Sequence, residues 1–225
     1  MGKEIHKAEN RRNPKTGFSA ARPKQPLEPQ LLKPIGSLHD DDDYKDCLME
    51  HGVLSGKAQH VSLTRVKLQG MRFDAALPSL ELEDVLFEGC DLSNAVFSDS
   101  FLLRVAFLNC RMIGVDLSGA TLRDTEFNHN VLQYANFRFS RLKRALFDGC
   151  NCSEADFSGM SLEKIQFLQT DLRKVQMSGT PLANIDFTSC EIDGLGARPE
   201  DLRGAVFSPE QAITAAKILG VEIRF

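Results

Sequence analysis

The sequence contains no tryptophan and only two tyrosines, although it has fifteen phenylalanines. It has no run of about eighteen apolar residues, so we expect no transmembrane helix and no membrane association. No apolar segment follows the N-terminal methionine, which argues against a secretory signal and favours a cytoplasmic location. The six cysteines are then expected to be reduced thiols. The net charge of −4 argues against direct binding to nucleic acid, which needs a positive excess.

The first 49 residues differ from the rest in composition. Five prolines fall between residues 14 and 34, and residues 1–35 carry eight Lys and Arg against three Asp and Glu. Four consecutive aspartates follow at 40–43. Because such a segment cannot bury enough apolar surface to fold alone, we predict a flexible, solvated arm over residues 1–49. The alternative is a docking peptide that becomes ordered on binding.

The middle of the chain, residues 50–207, has an internal repeat of five residues. Every fifth residue from Leu82 to Phe207 is apolar, which makes 26 consecutive positions. With 42% hydrophobic residues, chance would give such a run about once in 10¹⁰ trials. Neither a helix nor a strand has a period of five, so the chain must turn once in each repeat. Upstream the same spacing continues in a shifted frame through Leu63, Leu68 and Phe73. The shift indicates one deleted residue, or a small loop, near Pro78.

The apolar side chains repeat again every twenty residues. Phenylalanine occupies one series and leucine another, and we predict that both form the structural core: Phe87, Phe107, Phe127, Phe147, Phe167 and Phe187, with Leu102, Leu122, Leu142 and Leu162. Like residues stack on like if four repeats complete one turn. The position two residues before each is mostly small, as a narrow interior requires. We therefore predict an all-β solenoid, a quadrilateral β-helix of about seven to eight coils over residues 50–207.

Residues 208–225 are predicted to cap the end of the coil. Ser208 is a helix N-cap, Pro209 suits the first helical position, and Gln211 completes a capping box. An apolar side follows that includes Ile213, Ala216, Ile218 and Leu219. The last residues, 221–225, alternate as a strand would. A stacked coil needs such a cover because its end exposes core and unpaired backbone.

The repeat resembles that of the pentapeptide repeat proteins, whose motif is roughly Ala, Asp or Asn, then Leu or Phe, and two variable residues. Residues 155–159 (Ala-Asp-Phe-Ser-Gly) and 135–139 (Ala-Asn-Phe-Arg-Phe) match well. The resemblance covers residues 50–225 and implies a right-handed quadrilateral β-helix. The best understood members are quinolone-resistance proteins that resemble B-DNA in size and charge and bind DNA gyrase or topoisomerase IV. Those members are often dimers joined through a C-terminal helix, which implies a homodimer through Ile213, Ala216, Ile218 and Leu219 here.

Two features depart from the DNA-like members. The unbroken repeat leaves no room for the projecting loop that several of them carry, and the surface charge is mixed. Basic residues such as Arg104, Arg123 and Lys143 accompany the leucine series, whereas a duplex-like surface should be acidic along most of its length. Two hypotheses therefore remain: a binding or scaffold rod for an unknown protein partner, and a DNA-mimic ligand of a type II topoisomerase such as DNA gyrase.

The sequence gives no reason to assign a catalytic, cofactor or metal site. Cys90, Cys110, Cys150 and Cys190 share one series at the small position, where cysteine is a compact apolar filler. A line of thiols does not offer the tetrahedral ligand set of zinc. We therefore expect a protein that is not an enzyme and has no cofactor.

One group of residues has the composition of a protein interface. It contains Tyr134, Arg138, Phe139, Arg141, Lys143 and Arg144. Aromatic residues and arginine are enriched at interface hot spots. We take the six as a candidate partner surface. The alternative is that the aromatic rings pack against neighbouring turns or the arm.

Overall fold

A computed structural model describes residues 20–24, 30–32 and 38–222, and for 30–32 the backbone alone. The strands in these residues are β1 (Gln30–Leu32), β2 (Asp43–Glu50), β3 (Val53–Lys57), β4 (Ser62–Gln69), β5 (Arg72–Ala76), β6 (Glu81–Glu88), β7 (Phe101–Leu108), β8 (Thr121–Asn128), β9 (Arg141–Asp148) and β10 (Ser161–Leu168). A 3-10 helix, Pro199–Leu202, and helix α1, Ala212–Ile218, follow. Eight strands form one parallel sheet in the order β1-β2-β4-β6-β7-β8-β9-β10, and β3 pairs with β5. No helix in this part of the chain is long and apolar enough to cross a membrane.

Neighbouring strands are in register at intervals of one coil. Leu82 pairs with Leu102, and Leu102 with Leu122, so each of these turns uses twenty residues. Leu63 pairs with Leu82, a turn of nineteen residues that contains the deletion predicted near Pro78. The protein is therefore an all-β solenoid, the quadrilateral β-helix predicted from the repeat, with the right hand that the resemblance to pentapeptide repeat proteins implied.

The period of five comes from one left-handed residue at each corner of the coil. The φ angles of Arg104, Asn109, Gly114 and Gly119 are 53°, 52°, 65° and 68°. A residue with positive φ turns an extended chain sharply, as it does in a type II turn. These four corners divide one coil into four short sides.

The core is a stack of rings and aliphatic side chains along the axis of the coil. Of the ten predicted core residues, nine are buried, and Leu162 is partly buried and packs against the others. The Phe107 ring lies 4.7 Å from that of Phe87 and 5.0 Å from that of Phe127, in both cases stacked. Because neighbouring coils are about 4.8 Å apart, identical side chains one turn apart meet at stacking distance. These residues therefore form the core of the coil.

The regular sheet ends after β10. Ser161, the first residue of β10, donates its N–H to Ser140 O of the coil before, at 3.0 Å. Pro181 stands at the next equivalent position and has no N–H to donate. The coil continues from there through isolated bridges, such as Asp186 with Val206. The solenoid has about six turns, slightly fewer than the seven to eight coils predicted.

The coil begins earlier than the sequence indicates. Strand β2 starts at Asp43, inside the segment assigned to the arm, and its Cys47 and Met49 are fully buried. The acidic run at 40–43 concealed these two inward residues from a search for apolar periodicity. The backbone of β1 adds a further parallel strand next to β2. The flexibility predicted for the arm falls mainly on residues 1–19, 25–29 and 33–37, which lie outside the described residues.

Polar side chains close the C-terminal end of the coil. Ser208 N–H donates to Gln211 Oε1 at 2.9 Å, and Gln211 N–H donates to Ser208 Oγ at 3.3 Å. These are the predicted reciprocal bonds, but they close a turn that precedes the helix, whose N-cap is Gln211 and not Ser208. Gln211 Nε2 also donates to the carbonyl oxygens of Phe187 and Cys190, both at 2.8 Å. Helix α1 is only seven residues long. Residues 221–222 are not a strand, and 223–225 lie outside the described residues.

Candidate functional site

Each eight-residue strand bends at a corner and so belongs to two sides of the coil. In β8 the corner is Asp124, with a φ of 54°. Thr121 and Arg123 face outward before it, and Glu126 and Asn128 face outward after it. Equivalent residues of β6 to β10 stack along the rod. The strands therefore carry three surfaces: the side before the corner, the corner itself and the side after it.

Over strands β7 to β9 the side before the corner carries exposed aromatic and basic side chains, and Glu81, Glu83 and Glu163 lie at its two ends. Phe101 is 39% exposed, and the guanidinium of Arg123 lies 6.0 Å from the centre of its ring. Arg141 lies two coils beyond Phe101 in the same column, and Lys143 follows Arg123. Phe139, at the bordering corner, is 60% exposed. We call Phe101, Arg123, Phe139, Arg141 and Lys143 the basic–aromatic face.

The residues predicted as a partner surface are only partly brought together. Phe139, Arg141 and Lys143 belong to the basic–aromatic face. Arg138 lies over the Phe139 ring at 5.3 Å, but it stands on the preceding side of the coil and pairs with Asp156 at 3.4 Å.

The last two residues of the candidate partner surface, Tyr134 and Arg144, lie on different corners of the coil. Tyr134, Phe139 and Arg144 occupy three successive corners, with φ angles of 59°, 59° and 54°. The first and third corners of a four-sided coil are diagonal, so Tyr134 and Arg144 lie at opposite edges of the rod. The six residues therefore do not form the single patch that their nearness in sequence suggested, because the chain turns at every fifth residue.

Sequence reasoning left Phe101 and Arg123 out of the candidate surface. Forty residues separate Phe101 from Arg141 along the chain, yet both lie in one column. The twenty-residue spacing was visible in the core and applies equally to outward positions. Arg123 was already grouped with Lys143 along the leucine series, and the same steps of twenty place Phe101 in the column of Arg141.

Oppositely charged side chains alternate over the first six residues of the corner between the two sides, and a second cation ends the column. Going along the rod, the corner residues are Asp46, Arg65, Asp84, Arg104, Asp124, Arg144 and Lys164. We call this column the charged corner. Each aspartate accepts two hydrogen bonds from the arginine of the next coil. Arg104 Nε donates to Asp84 Oδ1 at 2.6 Å, and Arg144 Nε donates to Asp124 Oδ1 at 2.7 Å.

These pairs shift the ionisation of the corner carboxylates. The hydrogen bond from Arg144 is the main cause that lowers the pKa of Asp124, although burial opposes it. Burial is the largest influence on Asp84 and would raise its pKa, but hydrogen bonds from Arg104 and from the N–H of Lys24 outweigh it. The pKa of Asp84 is therefore also lowered. Both carboxylates are ionised at neutral pH.

Lysine side chains neutralise carboxylates of neighbouring coils on other surfaces. Lys143 Nζ lies 2.8 Å from Glu163 Oε2, and Lys67 Nζ lies 2.8 Å from Glu88 Oε2. Such pairs follow from a coil spacing of about 4.8 Å, which long side chains bridge easily. Acidic residues on these sides are thus interrupted by cations and do not merge into a continuous negative strip.

The cysteine column has a structural role. Cys150 Sγ donates to the carbonyl oxygen of Phe127 at 3.3 Å, and Thr170 Oγ1, in the same column, donates to that of Phe147 at 3.1 Å. Burial raises the pKa of Cys150 to about 12, so this thiol stays protonated. Within the part of the chain that the structure describes, no group of three or more His, Cys, Asp and Glu side chains could hold a metal ion.

Several solved structures are similar to this chain. Full-length QnrB1, a plasmid-mediated fluoroquinolone resistance protein, is 17% identical over 85% of this chain and 100% of its own, with a TM-score of 0.47. HetL of the cyanobacterium Nostoc sp. strain PCC 7120 is 18% identical over 74% of this chain and 87% of its own, with a TM-score of 0.34. A pentapeptide repeat protein of the Arabidopsis thaliana thylakoid lumen is 22% identical over 57% and 75%, with a TM-score of 0.22. Likeness at this level carries no argument about function.

Family models match the coil itself. A pentapeptide repeat region matches residues 80–157, and a model of pentapeptide repeats in eight copies matches residues 150–188. No curated protein matches the chain. The matched residues are those whose corners and stacked rings have the five-residue period. The chain therefore belongs to the pentapeptide repeat family.

Proposed function

We propose that the protein is a non-enzymatic scaffold that binds an acidic protein surface through its basic–aromatic face. Pentapeptide repeat proteins are in general structural or binding proteins. A rod filled with phenylalanine and leucine holds its outward side chains at fixed steps of about 4.8 Å. Such a surface suits recognition of a macromolecule better than it suits catalysis.

The exposure of two phenylalanine rings beside arginine carries this proposal. Phe101 is 39% exposed and Phe139 60% exposed, with Arg123 and Arg138 at 6.0 Å and 5.3 Å from their respective rings. Arginine next to an aromatic ring is a common composition of binding hot spots. The backbone of the strands and corners already holds these residues in place. Binding of a partner would therefore immobilise few additional rotatable bonds of this protein.

The experiment compares the full-length protein with two surface variants in cells. The double variant Phe101→Ser/Arg141→Glu changes the basic–aromatic face. Lys174→Glu, at a corner where the side chain is 70% exposed, is the matched charge reversal elsewhere. We expect quantitative cross-linking and mass spectrometry to recover a protein with wild type and Lys174→Glu, and at least about tenfold less with the double variant. Equal recovery with all three folded proteins would contradict the proposal.

The second candidate is a DNA-mimic ligand of a type II topoisomerase. Its support is another side of the rod, where Asp116 and Asp156 stack two coils apart. Duplex mimicry needs a continuous acidic strip, and the cation pairs between coils weaken such a field. A supercoiling assay with purified DNA gyrase, with and without a quinolone, tests it directly. Inhibition or protection would replace the first candidate, whereas neither effect at micromolar protein would remove the second.

We also propose a homodimer through the C-terminal end. Ile213 is 37% exposed, Leu219 56% and Val221 51%. Ile218 packs against the coil, and Ala216 is half-buried, so these two residues serve the cap. A second copy of the same surface would cover the three exposed apolar side chains.

A further inference from the structure

Residues 20–24 lie along the outside of the coil, next to the charged corner. The N–H of Ala21 donates to Asp124 Oδ1 at 3.2 Å, and the N–H of Lys24 donates to Asp84 Oδ1 at 2.9 Å. Arg22 Nε lies 4.0 Å from Glu126 Oε1. The segment thus runs from β8 towards β6, against the order of the coils.

The two acceptors are built in the same way. Asp84 and Asp124 are 4% and 6% exposed. In each, Oδ1 accepts one hydrogen bond from the Nε of an arginine one coil further on and a second from a backbone N–H of the segment. The arginine therefore orients the carboxylate, and the same oxygen receives the peptide.

The side of the coil that the segment passes is covered. Ala106 faces outward on β7, between the two aspartate coils, yet is only 3% exposed, and Ala20 of the segment is also 3% exposed. The Glu126 side chain is 14% exposed. Burial is the main cause that raises the pKa of Glu126, and Arg22 opposes it.

The spacing of the acceptors fits an extended peptide. Asp84 and Asp124 are two coils apart in one column, or about 9.6 Å at the usual strand spacing. Ala21 and Lys24 are three residues apart, which corresponds to about 9.3 Å in a polyproline II chain. That helix has three residues per turn, so every third N–H points the same way. Pro23 falls where no N–H is used, and Pro26 and Pro29 continue its spacing in the sequence.

We propose that the charged corner, with the side after it, is a docking track for an extended, proline-containing basic peptide. Each second coil offers a carboxylate, and each third residue of the peptide offers a backbone N–H. Residues 20–24 of the same chain occupy this track. A partner peptide of the same class must displace them. This track lies across the charged corner from the basic–aromatic face and does not depend on the function proposed for that face.

The first test measures amide hydrogen exchange by NMR on the full-length protein. We expect the amides of Ala21 and Lys24 to exchange at least about tenfold more slowly than in an unstructured peptide. The double variant Asp84→Ala/Asp124→Ala should remove that protection, whereas Glu163→Ala, which removes an exposed carboxylate paired with Lys143, should leave it. Exchange at the unstructured rate in wild type would overturn the proposal, and so would protection that survives the double variant.

A second test leaves the residues of the coil unchanged and alters the segment that occupies the track. Ala20→Glu places a carboxylate where a buried methyl packs and should release the segment. A fluorescent peptide with the sequence of residues 18–27, Phe-Ser-Ala-Ala-Arg-Pro-Lys-Gln-Pro-Leu, should then bind this full-length variant at least about tenfold more tightly than wild type.

The control peptide exchanges the order of Pro23 and Lys24. It keeps the composition and charge but has proline, without an N–H, at the position that donates to Asp84. We expect it not to bind to the Ala20→Glu protein. Equal binding of the two peptides would show attraction by charge alone and would overturn the proposal, as would failure of both to bind.

Discussion

The middle and the C-terminal end of the coil use the same repeat but bury it differently. Phe147 is fully buried, with the rings of Phe127 and Phe167 at 4.6 Å and 5.0 Å on its two sides. Phe207 belongs to the same series, is only partly buried and stacks on Phe187 at 5.4 Å. A side chain in the stack is covered by the coil above and the coil below it. The last coil has such a neighbour on one side.

Hydrogen bonds replace this missing cover at the end. Gln211 donates to two carbonyl oxygens of the preceding coil. Asp201, 5% exposed, accepts from the N–H of Gly179 and from the guanidinium of Arg198, each at 2.8 Å. The middle is stabilised by repetition of ordinary residues, whereas the end depends on a few particular ones.

The largest expected effect is in the middle of the stack. Phe147→Ala should lower the free energy of unfolding by about 3–5 kcal/mol, because it leaves a cavity between two rings. Phe207→Ala should cost roughly half as much, since its ring has cover on one side. Urea unfolding followed by circular dichroism measures both. The control is Phe101→Ala, at an exposed position, with an expected loss of unfolding free energy below about 1 kcal/mol. Equal losses of unfolding free energy in Phe147→Ala and Phe207→Ala would contradict the comparison.

The next effect concerns the end itself. Gln211→Ala leaves the carbonyl oxygens of Phe187 and Cys190 without their side-chain donor, and we expect a loss of about 1–3 kcal/mol. Hydrogen exchange should become faster in the last coil while β7 and β8 keep their protection. Gln133→Ala, which removes a hydrogen bond to Ser153 in the middle of the rod, is the matched control. The role of the cap would be refuted if both variants raised exchange in the same region.

A smaller effect appears only in acid. The hydrogen bond from Arg198 is the main cause that lowers the pKa of Asp201 from 3.8 to about 2. Because the folded pKa is below the unfolded one, Asp201 stabilises the end fully above about pH 4, and this contribution is lost as the pH falls towards about 2. Asp201→Asn should therefore flatten the decline of unfolding free energy over that range. Parallel pH curves for the two proteins would show that Asp201 does not contribute.

The smallest change in stability is expected at the exposed apolar residues of the end. Leu219→Asp should alter the unfolding free energy of the coil by less than about 0.5 kcal/mol. It should convert the proposed homodimer to a monomer in size-exclusion chromatography with light scattering. Phe139→Asp, at an exposed corner in the middle, should leave the dimer intact. A dimer that persists in Leu219→Asp would exclude the C-terminal contact.

The stack and the reciprocal hydrogen bonds of Ser208 and Gln211 were accessible from the sequence because each depends on the chemistry of single residues at fixed spacing. The start of helix α1 was predicted three residues too early, since its N-cap is Gln211. A buried position must be apolar in every coil, so the alternation of phenylalanine and leucine records the twenty-residue turn. The start of the coil was missed because Tyr44, Cys47 and Met49, the inward residues of β2, directly follow an acidic run. The early end of the sheet was missed because it depends on one absent N–H, at Pro181.

The twenty-residue step gives the columns of outward residues, but the sequence does not show in the same way which of them form one binding surface. An outward position accepts almost any polar residue, so its identity says little about its neighbours. Tyr134 and Arg144 are close in the chain and diagonal in space, whereas Phe101 and Arg123 are a coil apart and in contact. The docking of Ala21 and Lys24 on Asp124 and Asp84 joins residues at least sixty positions apart. Apolar periodicity was therefore sufficient for the core, and the turn at every fifth residue set which outward groups meet.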